Sequence, residues 1–547
     1  MSKVSLTISR LLSHSIRSQI MTSRILSAIC LTVLNIVLGS QTVTAQQPLT
    51  PQEIRGKQIY TQGTSPSGKD ILAYVGDAAL EVPGSVMACA NCHGIAGQGK
   101  VEGGINPSNV TWEALTKPYG VTHVNGRRHP AYTPRALELA ITRGLDPAGN
   151  KLLNVMPRYQ MSKEDLDDLV VYLKRLGTDV DPGVTENKIV IGVATPTAGP
   201  VSELSLVTRD VMAAVFAEMN SQGGVFNRQL ELKSIAVDAQ AITRADLEKL
   251  IKDEKVFALA GLMIAGVEKE IVPFLAEQEV PVIGPLTLDP KVGTPLNRQV
   301  FYLLSGVATQ ARALVSFMQK RPESKPFALA VVHSGGDLAP SVIEALKDES
   351  QKEKLTPPQL IEYSAGSFAA PEMVSRLKQS NTTAVFFMGG TVDLLALMNE
   401  AASINWFPQI LVQSGAASQT LFDAPAGFEG KVFSAFPFTP ADQTAEAITE
   451  FRKLGEKYKL PQKHFAAQVL AYSSAKILIE ALKRVGKDLS RERLIQSLEG
   501  FYNYHTGLTP PITYGPNRRI GAMGAYIVMV NLKEKKLVPV SGWVVVN

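Results

Sequence analysis

The stretch Cys89-Ala90-Asn91-Cys92-His93 decides how the first part of this 547-residue chain folds. Two thiols three positions apart can each form a thioether with one vinyl group of haem, and the histidine that follows can bind the iron. A structural zinc site fits less well, because it needs four ligands and no second cysteine pair or histidine pair follows. A thioredoxin-like redox pair would follow a strand, and no strand pattern precedes Cys89. The motif therefore predicts one covalently attached haem c, with Cys89 and Cys92 as tethers and His93 as an iron ligand.

The first 45 residues differ from the rest of the chain in charge and hydrophobicity. They contain four bases and no acid, and an apolar run from Ile25 to Leu38 leads to the small-residue site Val43-Thr44-Ala45. This pattern predicts a secretory signal peptide over residues 1–45, with Met21 as an alternative start. Because the run is short for a membrane span, the expected location is the periplasm; an uncleaved membrane anchor is the alternative.

Removal of the signal peptide changes both the charge and the cysteine count. Four bases and no acid leave, so the formal charge falls from +5 to +1, which gives no reason to expect a nucleic-acid partner. Cys30 also leaves, and of three cysteines only Cys89 and Cys92 remain. An exported chain without spare thiols fits covalent haem assembly outside the cytoplasm.

A small all-α domain is predicted over residues 48–178. Thr50-Pro51-Gln52-Glu53 is a helix start with a capping box, and Ser162 with Asp165 predicts a second one. The second helix is expected to end at Gly177. Its apolar stripe has helical spacing: Leu166, Leu169, Val170, Leu173 and Leu176.

A haem motif between two capped helices resembles the class I cytochromes c over this whole segment. The resemblance implies that the two terminal helices cross near Gly56 and Tyr172. It also implies a sixth iron ligand, because Met156-Pro157-Arg158-Tyr159 matches the Met-Pro signature of the family. A methionine ligand favours ferrous iron and raises the reduction potential relative to two imidazoles.

Other interpretations of this region stay open. Met156 is alternatively a core residue, and Met161 is better explained by packing in front of a helix start. His123 and His129 are further candidate ligands within a long insert from 101 to 134. In that insert Arg127 and Arg128 either pair with the haem propionates or form a solvated basic turn. The insert is also a candidate docking edge.

Residues 179–187 form a short polar linker, and the pattern changes after it. Over residues 188–547, apolar strand-like runs alternate with amphipathic helices, which predicts an α/β fold with largely parallel sheets and two lobes. The clearest runs are Lys188–Ala194, Phe257–Gly261, Val280–Gly284, Phe327–Val332 and Ala384–Met388.

The order of motifs in this second domain resembles the type I periplasmic binding proteins of the branched-chain amino-acid (Leu/Ile/Val-binding) class. The matching pieces are Thr195–Pro200, Asn220–Arg228, Pro281–Pro285 and Gly515–Arg519. The resemblance implies a two-lobed Venus-flytrap fold with a ligand in the cleft between the lobes, held by loops at strand ends.

The cleft loops that the resemblance implies depart from the family pattern. Their candidate ligand contacts are Thr195, Thr197, Ile264, Ala265, Thr287, Thr391 and Ser414. The second loop commonly offers hydroxyls to a ligand carboxylate, and here it is Leu262-Met263-Ile264-Ala265. The loop that often supplies an acid for the ligand amine has Ser414. Since a free amino acid needs both charges matched in a desolvated cleft, a weakly polar ligand is expected, or no ligand.

No catalytic motif accompanies these features. A phosphate loop, a His-Glu-x2-His metal motif and a Gly-x-Ser-x-Gly nucleophile turn do not occur in the sequence. The leading prediction is thus an exported, non-enzymatic mono-haem cytochrome for one-electron transfer. Its partner would be a periplasmic dehydrogenase, oxidase or second cytochrome, and its second domain would dock a partner or sense a small molecule. The alternative is a substrate-binding protein of an ABC permease with an accessory haem domain. A haem-based sensor is a third hypothesis, and Met156 argues against its open iron position.

Overall fold

The computed structural model describes residues 49–95, 97, 99, 107–123, 126–177, 181–293, 296–322, 326–416, 419–487 and 489–546. The predicted signal peptide, Cys30 and part of the predicted insert, including residues 101–106, lie outside these ranges. Contacts divide the chain into two compact units, one up to Asp179 and one from Val180.

The first unit consists of short helices and two small sheets. Its helices are α1 (Pro51–Gln62), α2 (Cys89–His93), α3 (Trp112–Leu115), α4 (Pro134–Arg143) and α5 (Lys163–Leu173). Its strands are β1 (Leu72–Val75), β2 (Leu80–Pro83), β3 (Val121–Thr122), β4 (Arg128–His129) and β5 (Arg158–Gln160). β1 lies between β2 and β5 in an antiparallel sheet, and β3 pairs with β4. The predicted helical framework is present, and the two sheets are an addition to it.

The terminal helices α1 and α5 cross at Gly56, which confirms the crossing that the resemblance implies. A Cβ atom on Gly56 would lie 2.1 Å from the backbone oxygen of Asp168 and 2.6 Å from Cβ of Tyr172. No side chain fits in that space. Beside the crossing, Nε of Arg55 lies 2.6 Å from Oδ2 of Asp168 and joins the two helices a second time.

The ends of these helices follow the predictions only in part. Thr50 and Glu53 form the predicted capping box. Ser162 caps α5, but the Asp165 carboxylate accepts from the hydroxyls of Ser162 and Ser65, so the predicted second box is half formed. α5 ends at Leu173 rather than at Gly177, because the following turn closes with bonds to the carbonyls of residues 171 and 172.

The second unit alternates strands and helices along the chain. Its strands are β6 (Lys188–Pro196), β7 (Gln229–Val237), β8 (Ala258–Ala260), β9 (Val282–Ile283), β10 (Val300–Leu304), β11 (Leu329–His333), β12 (Gln359–Glu362), β13 (Ala384–Met388), β14 (Gln409–Gln413), β15 (Val432–Phe436), β16 (Ile520–Ala522), β17 (Gly524–Asn531) and β18 (Lys536–Val545). Its helices are α6 (Ser202–Ser221), α7 (Arg244–Glu248), α8 (Glu268–Glu277), α9 (Val307–Gln319), α10 (Ala339–Lys352), α11 (Ala370–Gln379), α12 (Thr391–Ser403), α13 (Ala445–Tyr458), α14 (Phe465–Val485) and α15 (Arg491–Glu499).

These elements form two lobes, each built on one sheet, which confirms the predicted two-lobed α/β fold. The first lobe has a six-stranded sheet in the order β16-β10-β9-β8-β6-β7, and its pairs are parallel. The second lobe has seven strands in the order β12-β11-β13-β14-β15-β17-β18. Its first five strands are parallel, and β17 and β18 are antiparallel additions.

Helices cover both faces of each sheet, because the buried strands carry apolar side chains on both faces. In β11, Leu329 and Val331 face one core cluster with α9 and α10, while Ala330 and Val332 face another with α11 and α12. Burial on both faces explains why the parallel strands are continuous apolar runs rather than alternating patterns.

Three chain segments join the lobes, between β10 and α9, after β15, and between β16 and β17. Two of them are bonded to each other: Ser305 Oγ donates to Gly524 O at 3.0 Å, and Ser305 N donates to Ala522 O at 3.1 Å. One helix of the described chain, α14, is long and apolar enough to cross a membrane by length and composition alone. Of its most apolar window, 72% is buried inside the protein, as in a core helix.

Candidate haem site and ligand cleft

α2 is a single short helix that carries the whole Cys-x-x-Cys-His motif. Cys89 is half-buried, Cys92 is exposed, and both are free thiols. Burial raises the pKa of the Cys89 thiol to about 11, so this sulfur stays protonated at neutral pH. Because neither cysteine forms a disulfide, both sulfurs are free to form thioether bonds.

The imidazole of His93 is held in one tautomer by the backbone. Its Nδ1 lies 2.9 Å from the carbonyl oxygen of Ser108. Because a carbonyl only accepts, Nδ1 carries the hydrogen and Nε2 keeps its lone pair. Burial lowers the pKa of His93 and so favours the neutral ring, which is the form that binds a metal. Two free thiols and one oriented, neutral imidazole on the same helix fit haem c, and an oriented imidazole is the arrangement expected of an iron ligand.

Met156 lies in the loop between α4 and β5. It is half-buried against the core of the first unit, and Pro157 after it is buried. Arg158 binds back onto this loop through the carbonyl oxygens of Met156 and Leu152. Met161 packs against the same core and directly precedes Ser162, the cap of α5.

The insert residues form a cluster of their own. Nε2 of His123 lies 3.0 Å from Nε2 of His129 and 2.9 Å from Nη2 of Arg127. Nδ1 of His129 lies 2.8 Å from the carbonyl of the next residue. Arg127 also donates to Asp146 at 2.7 Å, whereas Arg128 on β4 is exposed. Protein partners therefore occupy both ring nitrogens of His129, Nε2 of His123 and part of the Arg127 guanidinium.

The carboxyl ends of the parallel strands in the first lobe carry the candidate hydroxyls. Thr195 is 1% exposed, and its Oγ1 lies 3.3 Å from Ser234 Oγ. Thr197 is exposed, and its hydroxyl donates to the carbonyl of Val237 at 3.1 Å. Both hydroxyls hold the end of β6 to β7, so each already has a protein partner.

Thr287 is engaged in the same way by an acid that the sequence analysis did not single out. Its hydroxyl donates to Oε1 of Glu268, and the other oxygen, Oε2, accepts from Gly266 N at 2.9 Å. Glu268 begins α8 and is 8% exposed. It ties two cleft loops together and places a negative charge beside the candidate hydroxyl. In the loop that precedes Glu268, Ile264 is buried and Ala265 is half-buried.

The edge of the second lobe contains a second unpredicted group. Tyr363 follows β12, and its hydroxyl donates to Asp393 Oδ2 at 2.9 Å. Burial and then this carboxylate raise the pKa of Tyr363 to about 12. Thr391 is the first residue of α12 and half-buried, and Ser414 donates to Oε1 of Gln310 at 3.3 Å. An aromatic residue directly after a strand was the only signal in the sequence for Tyr363.

Two large apolar side chains are exposed at these strand ends. Leu288 in the loop after β9 is 52% exposed, and Val392 in the first turn of α12 is 79% exposed. One belongs to each lobe. Since ligands of open parallel sheets bind beyond the carboxyl ends of the strands, these residues give the cleft edges an apolar character.

The geometry defines a two-part protein, in which a cytochrome-like unit precedes a two-lobed binding unit. Residues 188–536 match the family model for periplasmic binding proteins, and this match spans more than half of the chain. The chain belongs to that family. Residues 84–177 match the cytochrome c family, so a cytochrome c domain precedes the binding-protein domain. The first domain implies haem c and the second implies a small-molecule ligand. Together they suggest a carrier or binding role outside the cytoplasm.

Solved structures share the fold of the second domain. A branched-chain amino acid ABC transporter from Thermus thermophilus with bound valine is 17% identical with a TM-score of 0.52, and the match covers 66% of this chain and 98% of that one. A putative branched-chain amino acid ABC transporter from Rhodospirillum rubrum is 15% identical with a TM-score of 0.53, covering 64% and 100%. A fatty acid ABC transporter substrate-binding protein from Thermomonospora curvata is 19% identical with a TM-score of 0.51, covering 67% and 94%. At these identities the similarity shows the fold alone. No curated protein matches the chain.

Proposed function

We propose that the chain is an exported electron carrier with one haem c. Cys89 and Cys92 would form the two thioethers, and His93 and Met156 would bind the iron. The observation that carries this proposal is the bond from His93 Nδ1 to the Ser108 carbonyl at 2.9 Å, which leaves Nε2 for the metal. Residues 1–45 are proposed as the signal peptide that exports it to the periplasm.

The protein residues in this proposal keep the iron environment constant. Haem supplies the one-electron step when it is bound. The Ser108 carbonyl fixes the plane and tautomer of His93, and Met156 is fixed by a loop that packs on the core. Since neither ligand needs to change its protonation or position, little reorganisation accompanies electron transfer. The proposed electron donor or acceptor is a periplasmic dehydrogenase, oxidase or second cytochrome.

The visible spectrum of protein matured with haem c tests this proposal. We expect a Met-to-ferric charge-transfer band at the red edge of the oxidised spectrum and no carbon monoxide binding to the reduced protein. The band should vanish in Met156→Ala and persist in the matched control Met161→Ala. A high-spin wild type that takes up carbon monoxide would contradict Met156 ligation and favour a haem-based sensor.

For the second domain we propose a small, weakly polar ligand without a carboxylate. Glu268 takes the Thr287 hydroxyl and adds negative charge to the loop that would face a ligand carboxylate. Exposed Leu288 and Val392 favour an apolar ligand instead. This domain would dock the redox partner or sense the substrate of that partner, with the haem potential as one readout.

Calorimetric titration with L-isoleucine separates this proposal from the alternative that the second domain is an amino-acid transport receptor. We expect no saturable heat up to about 1 mM L-isoleucine, and thermal stabilisation by one or more uncharged small molecules. That stabilisation should be lost in Leu288→Asp and Val392→Asp. A ligand that binds without shifting the haem midpoint potential would remove the redox-sensing form of the proposal.

The alternative is a transport receptor with an accessory haem domain. It is favoured by the family match over residues 188–536 and by the similar fold of proteins described as ABC transporter components. It predicts micromolar or tighter binding of an amino acid, closure of the lobes in small-angle scattering, and an ABC permease as partner. Tight binding of L-isoleucine would support it over the electron carrier with a weakly polar ligand.

A further inference from the structure

Arg158 begins β5 and turns its guanidinium back over the loop that carries Met156. Nη2 donates to the carbonyl of Leu152 at 2.9 Å and lies 3.5 Å from that of Leu153. Nη1 donates to the carbonyl of Met156. One side chain therefore holds backbone oxygens at both ends of the loop from 152 to 156.

Both the backbone and the guanidinium of Arg158 are held in place by neighbouring residues. The backbone of Arg158 is held in the sheet, where it pairs with Tyr74 of β1. The guanidinium lies against Gly144, the left-handed residue that ends α4, because a Cβ there would be 1.8 Å from Nε of Arg158. The carbonyl of Gly144 accepts from Leu152 N at 2.8 Å and anchors the loop a second time.

Arginine suits this position for a chemical reason. Its guanidinium has five N–H donors in a rigid, planar fork and no acceptor, so it can satisfy several carbonyl oxygens at once. Lysine offers a point charge on a flexible stem and cannot reproduce that fork. Pro157 has no N–H to give the loop. The backbone of the loop supplies one turn bond, from Met156 N to the carbonyl of Leu153 at 3.1 Å, and the bonds from Arg158 add to it.

We propose that Arg158 is a positioning residue for the Met156 thioether, and that its fork holds the methionine loop in the form that would bind the iron. This inference rests on the proposed ligation by Met156. In this proposal the thioether leaves when the loop opens, and opening of the loop breaks the bonds of Arg158 to Leu152 and Met156. The occupancy of the sixth iron position is thus set by a side chain that does not touch the haem iron.

Imidazole titration of the ferric holoprotein tests the inference. Imidazole binds only when Met156 has left, so its apparent affinity measures loop opening. We expect Arg158→Ala to raise that affinity at least tenfold and to weaken the red-edge charge-transfer band. Arg143→Ala removes an exposed arginine at the end of α4 and should match the wild type. Where Arg158→Ala gives no folded holoprotein, Arg158→Lys is measured, with an expected rise of at least threefold.

The outcomes separate this inference from the proposed function. If the wild type lacks the charge-transfer band, both the ligation by Met156 and the positioning role of Arg158 are overturned. If the wild type shows the band and Arg158→Ala binds imidazole with the affinity of the wild type, only the positioning role of Arg158 is overturned. A variant that is merely less stable to denaturant, with unchanged imidazole affinity, also overturns it, because a purely structural role predicts that result.

Discussion

Gly56→Ala is the sharpest test of how the haem-carrying domain is held together. The added Cβ would lie 2.1 Å from the backbone oxygen of Asp168, whereas ordinary contacts begin near 3.4 Å. That oxygen belongs to α5 and cannot move alone. The two helices must therefore separate by about 1.3 Å at their crossing, and the Arg55–Asp168 bond beside it must stretch.

The expected cost follows from two opposing terms. Overpacking of this kind typically destabilises a protein by about 1–3 kcal/mol, and contact with backbone on a packed helix favours the upper end. Alanine recovers about 1 kcal/mol relative to glycine inside a helix. The net loss is about 2 kcal/mol of unfolding free energy.

Guanidinium unfolding followed by the Soret absorbance measures this loss, because the signal reports only on the haem-carrying domain. Gly455→Ala is the matched control. Gly455 also lies inside a helix, α13, but an added Cβ there meets nothing within 4 Å. This control should stabilise the binding domain by about 0.5–1 kcal/mol, as read from tryptophan fluorescence. A Gly56→Ala protein as stable as the wild type would refute the close helix crossing.

Three further predictions follow from burial and charge. Burial raises the pKa of Cys89 from 9.0 to about 11, so Cys89 carries about a hundredfold less thiolate than an ordinary thiol. A pulse of iodoacetamide on apoprotein at pH 8 should therefore label the exposed Cys92 first, as measured by mass spectrometry. Equal labelling of the two cysteines would contradict this. Burial raises the pKa of Asp146, but hydrogen bonds from Asn150 and Arg127 outweigh it and leave the pKa below its usual value. Its stabilisation is therefore complete above about pH 4 and is lost as the pH falls through the lowered native pKa. Asp146→Asn should cost about 3 kcal/mol at neutral pH and flatten the acid limb of the Soret-monitored stability profile; an unchanged acid limb would contradict the ion pair with Arg127. Arg519 is fully buried, bonded to Glu499 at 2.6 Å and bonded to the carbonyl of Arg298 at 3.1 Å, so Arg519→Met should cost about 3 kcal/mol in denaturant unfolding. Adding Glu499→Gln should restore the part that comes from the unpaired acid; no recovery in the double variant would show that the acid contributes nothing to the loss.

Local chemistry made part of this molecule predictable. The capping box at Thr50 and Glu53 depends on residues three positions apart, so it could be predicted from a short stretch. The helix crossing at Gly56 came from resemblance to a family. The small sheets of the first unit have strands of two to four residues, too short to show an alternating pattern.

The available contacts of the cleft were harder to predict, because the candidate hydroxyls form hydrogen bonds with residues that are distant in sequence. Thr287 is bound by Glu268, and Thr197 by Val237 on the neighbouring strand. Such pairs depend on which strand ends lie side by side, and sequence periodicity carries no record of that. The strand-end alignment proposed candidate cleft loops, and it could not show which of their side chains already have protein partners.

The three segments that join the lobes also determine when each part of the chain can fold. The sheet of the first lobe needs β16, and that of the second needs β17 and β18, so neither lobe is complete until the last residues are present. The first unit, by contrast, is compact by itself up to Asp179. In the export from the N-terminus that we propose, the first unit would fold while the rest of the chain is still crossing the membrane, and the two lobes would complete their sheets at the end.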